Sequence, residues 1–393
     1  MKPVSMLDLH LEYQYMKEEI DAAIKRCLEH QKWILGPEVK ELEETVAKYL
    51  GVDHCIGVSS GTEALVLSLR ALAIKTKGQE YFDRSDKIIT TPFTFTATGD
   101  AILRAGATPV FADIDPLTFN LDPMKVEEYL AGGASGVVGM VPVHLYGQSC
   151  DMDRLTEIAQ KRGIFMVEDV AQAFGGKWRE KKLGSLGAAG AFSFFPSKNL
   201  GGFGDGGMIS TSDGELAGLA RMLLKHGGKD KYNVEHVGYN ARLDTIQAAV
   251  LLAKLKYIDE FNEKRRETAS LYDHELGGQA GIIVPAKQEM AQHVYHQYTV
   301  RVAAGRRDLL QTRLKEKGIA TMVYYPVVLH KMGVFNGRMV VANSLSEAEK
   351  AQQEVLSLPI EPLMEKGLVK EIAAGIKDSL SGSLSGSSPG SAA

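Results

Sequence analysis

Apolar and polar positions along this chain follow two periods, and the changes of period mark out its elements. Between residues 38 and 50, Val39, Leu42, Val46, Tyr49 and Leu50 share one stripe at helical spacing behind a Gly36-Pro37 break, which predicts an amphipathic surface helix. Cys55-Ile56-Gly57-Val58 is a short apolar run closed by Ser59-Ser60-Gly61-Thr62, and residues 64–73 are apolar nearly all round, so a strand, a turn and a buried helix are expected. The alternation repeats: a strand at 87–90 before a helix at 97–105, a strand at 108–111, then a strand within 136–143 before a helix at 152–162. Repeated βα units predict a mostly parallel sheet covered on both faces.

The run Gly163-Ile164-Phe165-Met166-Val167 stops at Glu168-Asp169, putting carboxylates at a strand's carboxyl end, where open α/β sheets take ligands. Residues 191–195 read as a further strand, with 207–211 its hairpin partner across a Gly-rich loop. A long helix at 245–261 is expected to lead out of a large domain spanning 1–255. A smaller α/β domain over 256–378 would hold strands at 295–302 and 319–325 around a helix at 307–317. The last stretch, 379–393, is nearly all Ser, Gly, Pro and Ala and reads as a flexible tail.

Composition narrows the function. With 45 basic and 49 acidic side chains the formal charge is -4, which supplies no general attraction for nucleic acid or an anionic membrane surface. Cys27, Cys55 and Cys150 are far apart and form no CxxC or Cys/His cluster, so neither a disulfide framework nor a metal site is expected. Asp8 and Glu12 sit where a signal peptide would be apolar, and no stretch approaches the roughly 20 apolar residues of a bilayer span. The expectation is a cytoplasmic protein.

Candidate chemistry gathers around Lys198, just past a buried strand and before glycines in Phe194-Phe195-Pro196-Ser197-Lys198-Asn199-Leu200-Gly201-Gly202. A lysine at the edge of an apolar core has a lowered pKa and can serve as a nucleophilic amine for Schiff-base chemistry, although an ordinary surface lysine fits the same stretch. Pyridoxal phosphate needs a carboxylate against its pyridinium nitrogen, and Asp169 could supply it; a helix cap or a surface acid is the plain alternative. Gln172, expected one helical turn on, could reach the ring's phenolic oxygen. Ser60-Gly61-Thr62 at a helix start offers free N–H groups and the positive end of the dipole to a phosphate, or is an ordinary cap. Ser193 could add a hydroxyl, and Phe95 could stack on the ring or belong to the core.

In their order and combination these motifs resemble the DegT/StrS-type sugar aminotransferases, within the fold-type I pyridoxal phosphate enzymes. The resemblance runs from about Leu7 to about Ala374. It includes Ile34-Leu35-Gly36-Pro37-Glu38-Val39, Thr94-Phe95-Thr96-Ala97-Thr98, Glu168-Asp169-Val170-Ala171-Gln172 and Gly238-Tyr239-Asn240-Ala241-Arg242-Leu243-Asp244. It implies a fold-type I α/β architecture and pyridoxal 5'-phosphate held covalently by Lys198. It also implies pairing of Asp169 with the ring nitrogen, Gln172 at the phenolic oxygen, and Ser193, Gly61 and Thr62 at the phosphate. Phe95 would stack on the ring, and Asn240 would reach the phosphate from the other subunit of a homodimer with a shared active site.

The stretches Tyr295-His296-Gln297-Tyr298-Thr299-Val300-Arg301 and Lys225-His226-Gly227 look most like the branch that aminates the 3-keto group of nucleotide sugars, with L-glutamate as amino donor. In that branch residues matching His30, His226, Arg242 and Tyr325 line the substrate pocket. Arg242 could instead form an ion pair with Asp244 or Glu63, and the two histidines could be structural. Tyr324 stands where uronate-specific members carry a histidine, and the charged connection 75–87 is longer than usual and is expected to be a surface loop. The competing readings are a 4-keto-6-deoxy nucleotide-sugar aminotransferase and a non-catalytic regulatory protein that keeps the fold.

Overall fold

The computed structural model describes residues 3–230, 232–303 and 305–381. Eight strands build its main sheet in the spatial order His54–Val58, Gly207–Thr211, Ala189–Ser193, Phe165–Asp169, Val137–Val141, Lys87–Thr90, Thr108–Phe111 and Val340–Val341. Gly207–Thr211 runs antiparallel to both neighbours, and every other adjacent pair is parallel. The strand runs read as continuously apolar because both faces are covered. One face packs on a core that includes Leu42 and Val46 of helix Pro37–Leu50 and Leu155 and Ile158 of helix Met152–Arg162. The other packs on Ala64, Leu65 and Leu69 of helix Gly61–Lys77 and on Ala101 and Ile102 of helix Thr96–Arg104. Full burial of each such Leu or Val is worth about 1.5–3 kcal/mol.

Local chemistry sets the helix ends. Helix Pro37–Leu50 starts with proline at its first turn and stops where Gly51 takes φ 74°, a conformation that glycine adopts without penalty. Helix Met152–Arg162 starts where Asp151 accepts the Arg154 N–H at 3.2 Å.

A separate three-stranded antiparallel sheet holds Tyr298–Val302 between Ile282–Ile283 and Val355–Leu358. Its core joins Tyr298 and Leu356 to Tyr272, Leu314 and Ile372 from helices Ile258–Leu276, Arg307–Glu316 and Lys366–Ser381.

Several expectations need correction. The helix expected at 245–261 is two, Thr245–Leu255 and Ile258–Leu276, with the break at Lys256 and Tyr257, where the 255/256 division also falls. Residues 319–325 do not form a strand: only Ile319 and Met322 make single bridges, to Val4 and Ser357, and the partner of Tyr298–Val302 is Val355–Leu358. Two short segments cross the expected division, Val340–Val341 joining the main sheet and Val4 the smaller core. In the connection 75–87, Lys75 and Lys77 complete a helix that stops at Gly78 (φ 65°), and Phe82 is buried against the sheet's helices. Of the expected tail, 379–381 continue the last helix with Ser379 buried, and 382–393 lie outside the described residues.

Candidate active site

Because the neighbouring strands are parallel, their carboxyl ends open on one edge of the sheet, and there lies a cavity of about 460 Å³. Gly61, Thr62, Phe95, Asp169, Gln172, Ser193, Lys198 and Tyr325 all line it. The period of two along Phe165–Asp169 gives its two acids opposite fates. Glu168 is fully buried away from the cavity, accepting the N–H groups of Gly184, Leu186 and Gly187 at 2.9, 2.7 and 2.9 Å and pairing with His144 at 3.1 Å. Asp169 faces the cavity and accepts the Thr98 hydroxyl at 2.8 Å and the Ala171 N–H at 3.1 Å. Among the described residues no ion pair reaches it. Burial pushes its carboxyl above the usual range, and the bond from Thr98 pulls the other way.

Lys198 follows strand Ala189–Ser193 in a turn closed by its own N–H to Phe195 O at 2.8 Å. Burial lowers its amine to about 8, against the opposing pull of Asp169. His296 lines the same cavity; burial, then the charges of Lys198 and Arg265, hold it well below the ordinary histidine range, and its Nδ1 is buried without a partner.

Gln172 is reached by turns, where a helix was expected. Its Oε1 accepts the Tyr146 N–H at 2.8 Å and its Nε2 donates to Tyr325 Oη at 2.9 Å. Phe95 stays 55% exposed beside Tyr325, at 6.2 Å between ring centroids, so it is a cavity wall and no part of the core. Opposite, Ser60 caps helix Gly61–Lys77 by accepting the Glu63 N–H at 3.1 Å. A Cβ on Gly61 would lie 2.7 Å from Ser193 Cβ, so Ser193 closes directly on the positive end of this helix.

This donor set fits pyridoxal phosphate: an anion cradle at the helix start, an amine of lowered pKa, an aromatic wall, and a buried carboxylate that lacks a cation.

The other expected residues lie elsewhere in the chain. Asn240 is exposed, does not line the cavity, and accepts a hydrogen bond from Arg242. Neither acid named as an alternative partner holds Arg242: Glu63 takes Arg104 at 2.7 Å, and Asp244 precedes helix Thr245–Leu255. His226 is exposed at φ 63°. His30 ends helix Lys17–His30, with Nε2 3.0 Å from Glu38 Oε1 and Nδ1 accepting the Lys32 N–H at 3.0 Å. Contrary to the reading of isolated cysteines, ligand atoms of Cys27, His30 and Glu38 lie within 4.8 Å of one another. The N–H donated into Nδ1 leaves Nε2 as the protonated nitrogen, so the ring serves Glu38 as a hydrogen-bond donor.

A profile of the DegT/DnrJ/EryC1/StrS aminotransferase family matches residues 14–377. The chain belongs to this family. It is 45% identical over 361 residues to the pleiotropic regulatory protein of Geobacillus stearothermophilus, covering 91% of this chain and 94% of that one. It is 39% identical over 373 residues to the UDP-2-acetamido-2-deoxy-3-oxo-D-glucuronate aminotransferase of Pseudomonas aeruginosa, covering 95% and 99%. Among solved structures it superposes on ntda from Bacillus subtilis with bound cofactor PMP at TM-score 0.85 and 30% identity, over 96% of this chain and 86% of that one. This member of the DegT/DnrJ/EryC1/StrS family is therefore an aminotransferase with pyridoxal 5'-phosphate as its cofactor. Within the described residues no helix is long and apolar enough to cross a membrane.

Sequence reasoning missed Thr98, Tyr146 and His296. Thr98 lay inside a quoted motif, but only the fold shows that it reaches Asp169. Tyr146 acts through its backbone N–H, which leaves no side-chain signature.

Proposed function

We propose that this aminotransferase moves the amino group of L-glutamate to a keto nucleotide sugar, at the 3-keto position of a UDP- or dTDP-sugar. The observation that carries the reading is the convergence of Lys198 and Asp169 on one cavity with a helix N-terminus at its phosphate end. The 3-oxo sugar substrate named for the Pseudomonas aeruginosa relative supports the sugar and the position. The cofactor, when bound, supplies the electron sink for amino transfer. The protein supplies orientation and charge. Lys198 Nζ, with a pKa near 8, takes up and returns a proton near neutral pH, which an ordinary lysine does poorly. Asp169, steadied by Thr98 and the Ala171 N–H, offers a fixed negative charge to the protonated ring nitrogen. Gln172, locked between Tyr146 and Tyr325, would meet the phenolic oxygen, while Gly61, Thr62 and Ser193 would hold the phosphate. Phe95 would stack on the ring.

Asn240 is exposed and Arg242 half-buried, and neither lines its own cavity, which supports a homodimer in which both serve the partner's site, Asn240 at the phosphate and Arg242 at the substrate. His30, His226 and Tyr325 complete the substrate side in this reading. A regulatory reading draws on the Geobacillus stearothermophilus relative's name, and retention of Lys198 and Asp169 opposes it.

The test is turnover of purified protein with glutamate and either 3-keto or 4-keto UDP- and dTDP-sugars, read as 2-oxoglutarate released. Release with 3-keto sugars, lost in Lys198→Ala, supports the proposal. Preference for 4-keto sugars refutes the position, and a protein that takes up pyridoxal phosphate but transfers to neither class refutes the substrate.

A further inference from the structure

The charged connection after helix Gly61–Lys77 takes no part in the cavity, yet it grips the segment that leads to Asn240. Arg70 on that helix is fully buried. Its Nη1 donates to Tyr239 Oη at 2.7 Å, and its Nη2 to Val237 O at 3.0 Å and to Glu80 Oε2 at 2.9 Å. Its Nε donates to the Glu80 carbonyl, and its guanidinium lies 3.6 Å from the Tyr81 ring centroid. Glu80 in turn lies 2.7 Å from His236 Nδ1 and accepts the Val237 N–H at 3.3 Å. One buried cation and one acid from the connection thus hold His236, Val237 and Tyr239, all within the four residues before Asn240.

The gripped segment is already pressed against the turn that follows helix Gly214–Leu223. Gly227 has φ 80°, and a Cβ there would lie 1.7 Å from His236 O; a Cβ on Gly238 would lie 2.0 Å from Gly227 N. Tyr239 N donates to Leu223 O at 2.7 Å and Tyr239 O accepts the His226 N–H at 2.9 Å. Between these fixed ends Tyr232 and Val234 are exposed. Asn240 and Arg242 follow at once, on backbone that makes only isolated bridges, to Lys225 and Val58. A binding group needs its backbone held to about 0.5 Å, and here no helix or full strand does so. A buried arginine that uses all three nitrogens in such bonds does this better than exposed ion pairs, which contribute little.

We propose that Arg70 and Glu80 are positioning residues: they clasp residues 236–239 so that Asn240 and Arg242 are presented to the cofactor phosphate and substrate of a second copy of this chain. The proposal rests on the shared-site reading above. It separates the two roles of the connection 75–87: the lysines end a helix, and Glu80 and Tyr81 hold a reaching segment.

The test compares pyridoxal phosphate with pyridoxal, which lacks the phosphate, as ligands of the full cofactor-free chain. Asn240→Ala is expected to raise the Kd of pyridoxal phosphate about tenfold and leave pyridoxal unchanged. Arg70→Met and the milder Glu80→Gln are each expected to raise it about fivefold, again sparing pyridoxal. Equal weakening of both ligands means general loosening and overturns the clasp. So does a normal Kd in Glu80→Gln when Asn240→Ala is impaired, and that result leaves the shared site standing. No effect in Asn240→Ala overturns the shared-site reading and the clasp with it. Glu80→Gln carries the test if Arg70→Met does not fold, since Glu80 is partly exposed.

Discussion

Thr98 donates its hydroxyl to Asp169 across 2.8 Å, joining a helix start to a strand end 71 positions away. That bond and the Ala171 N–H only partly offset the burial that raises the carboxyl. A raised acid stabilises the fold in its protonated form: the contribution is whole below the ordinary carboxylate pKa and is lost as pH rises through the raised one. Asp169→Asn in the cofactor-free chain is therefore expected to melt higher than the parent at neutral pH, with the gap closing in mild acid, while amino transfer is lost. A Tm at or below the parent's at neutral pH contradicts the assignment.

The lysine gives a complementary titration. With Lys198 lowered from 10.5 to about 8, the cofactor-free chain gains stability as pH rises between those values, because the unfolded chain then holds the extra proton. Acylation of Lys198, followed by peptide mass spectrometry, is expected to reach half its limiting rate near pH 8, well before the surface lysines. Asp169→Asn removes the charge that opposes burial and is expected to move that midpoint lower. A midpoint in the ordinary lysine range would rule out the lowered amine.

At the phosphate end the constraint is steric. Gly61→Ala puts a methyl 2.7 Å from Ser193 Cβ, inside contact distance. Such overpacking costs about 1–3 kcal/mol, and the displaced Ser193 is expected to weaken cofactor binding about tenfold. Calorimetric unfolding and cofactor titration of the same variant check both effects.

Phe95 separates binding from folding. At 55% exposure its removal is expected to change stability by less than about 0.5 kcal/mol, as at most surface sites. Phe95→Ala is expected to weaken pyridoxal phosphate about fivefold through lost stacking. A large fall in Tm would return Phe95 to the core.

Much of this was written in local pattern. The stripe Val39, Leu42, Val46, Leu50 is buried as its spacing requires, and an apolar run ending in Glu168-Asp169 is a strand whose last residue faces the cavity. What escaped depends on distance along the chain or on backbone groups. Ile319 and Met322 look like strand residues, but Val355–Leu358 takes the pairing beside Tyr298–Val302 and leaves them single bridges. Gln172 reaches the cavity through turns, since Ala171 N–H bonds back to Asp169 and no helix starts there. Asn240 and Arg242 belong to a site that one chain does not complete in the shared-site reading, so no local pattern could place them.

The lone reversed strand has a mechanical result. Gly207 is registered with both Val58 and Ser193, so residues 194–206 leave and re-enter the sheet at adjacent ladder positions beside the start of helix Gly61–Lys77. The base of the lysine loop is therefore tied, with the Phe194 N–H donating to Gly206 O at 2.8 Å and the Gly202 N–H to Phe194 O at 2.8 Å. Those two amides are expected to exchange with solvent only when the base opens, which keeps the mooring of Lys198 on the rigid side of the loop.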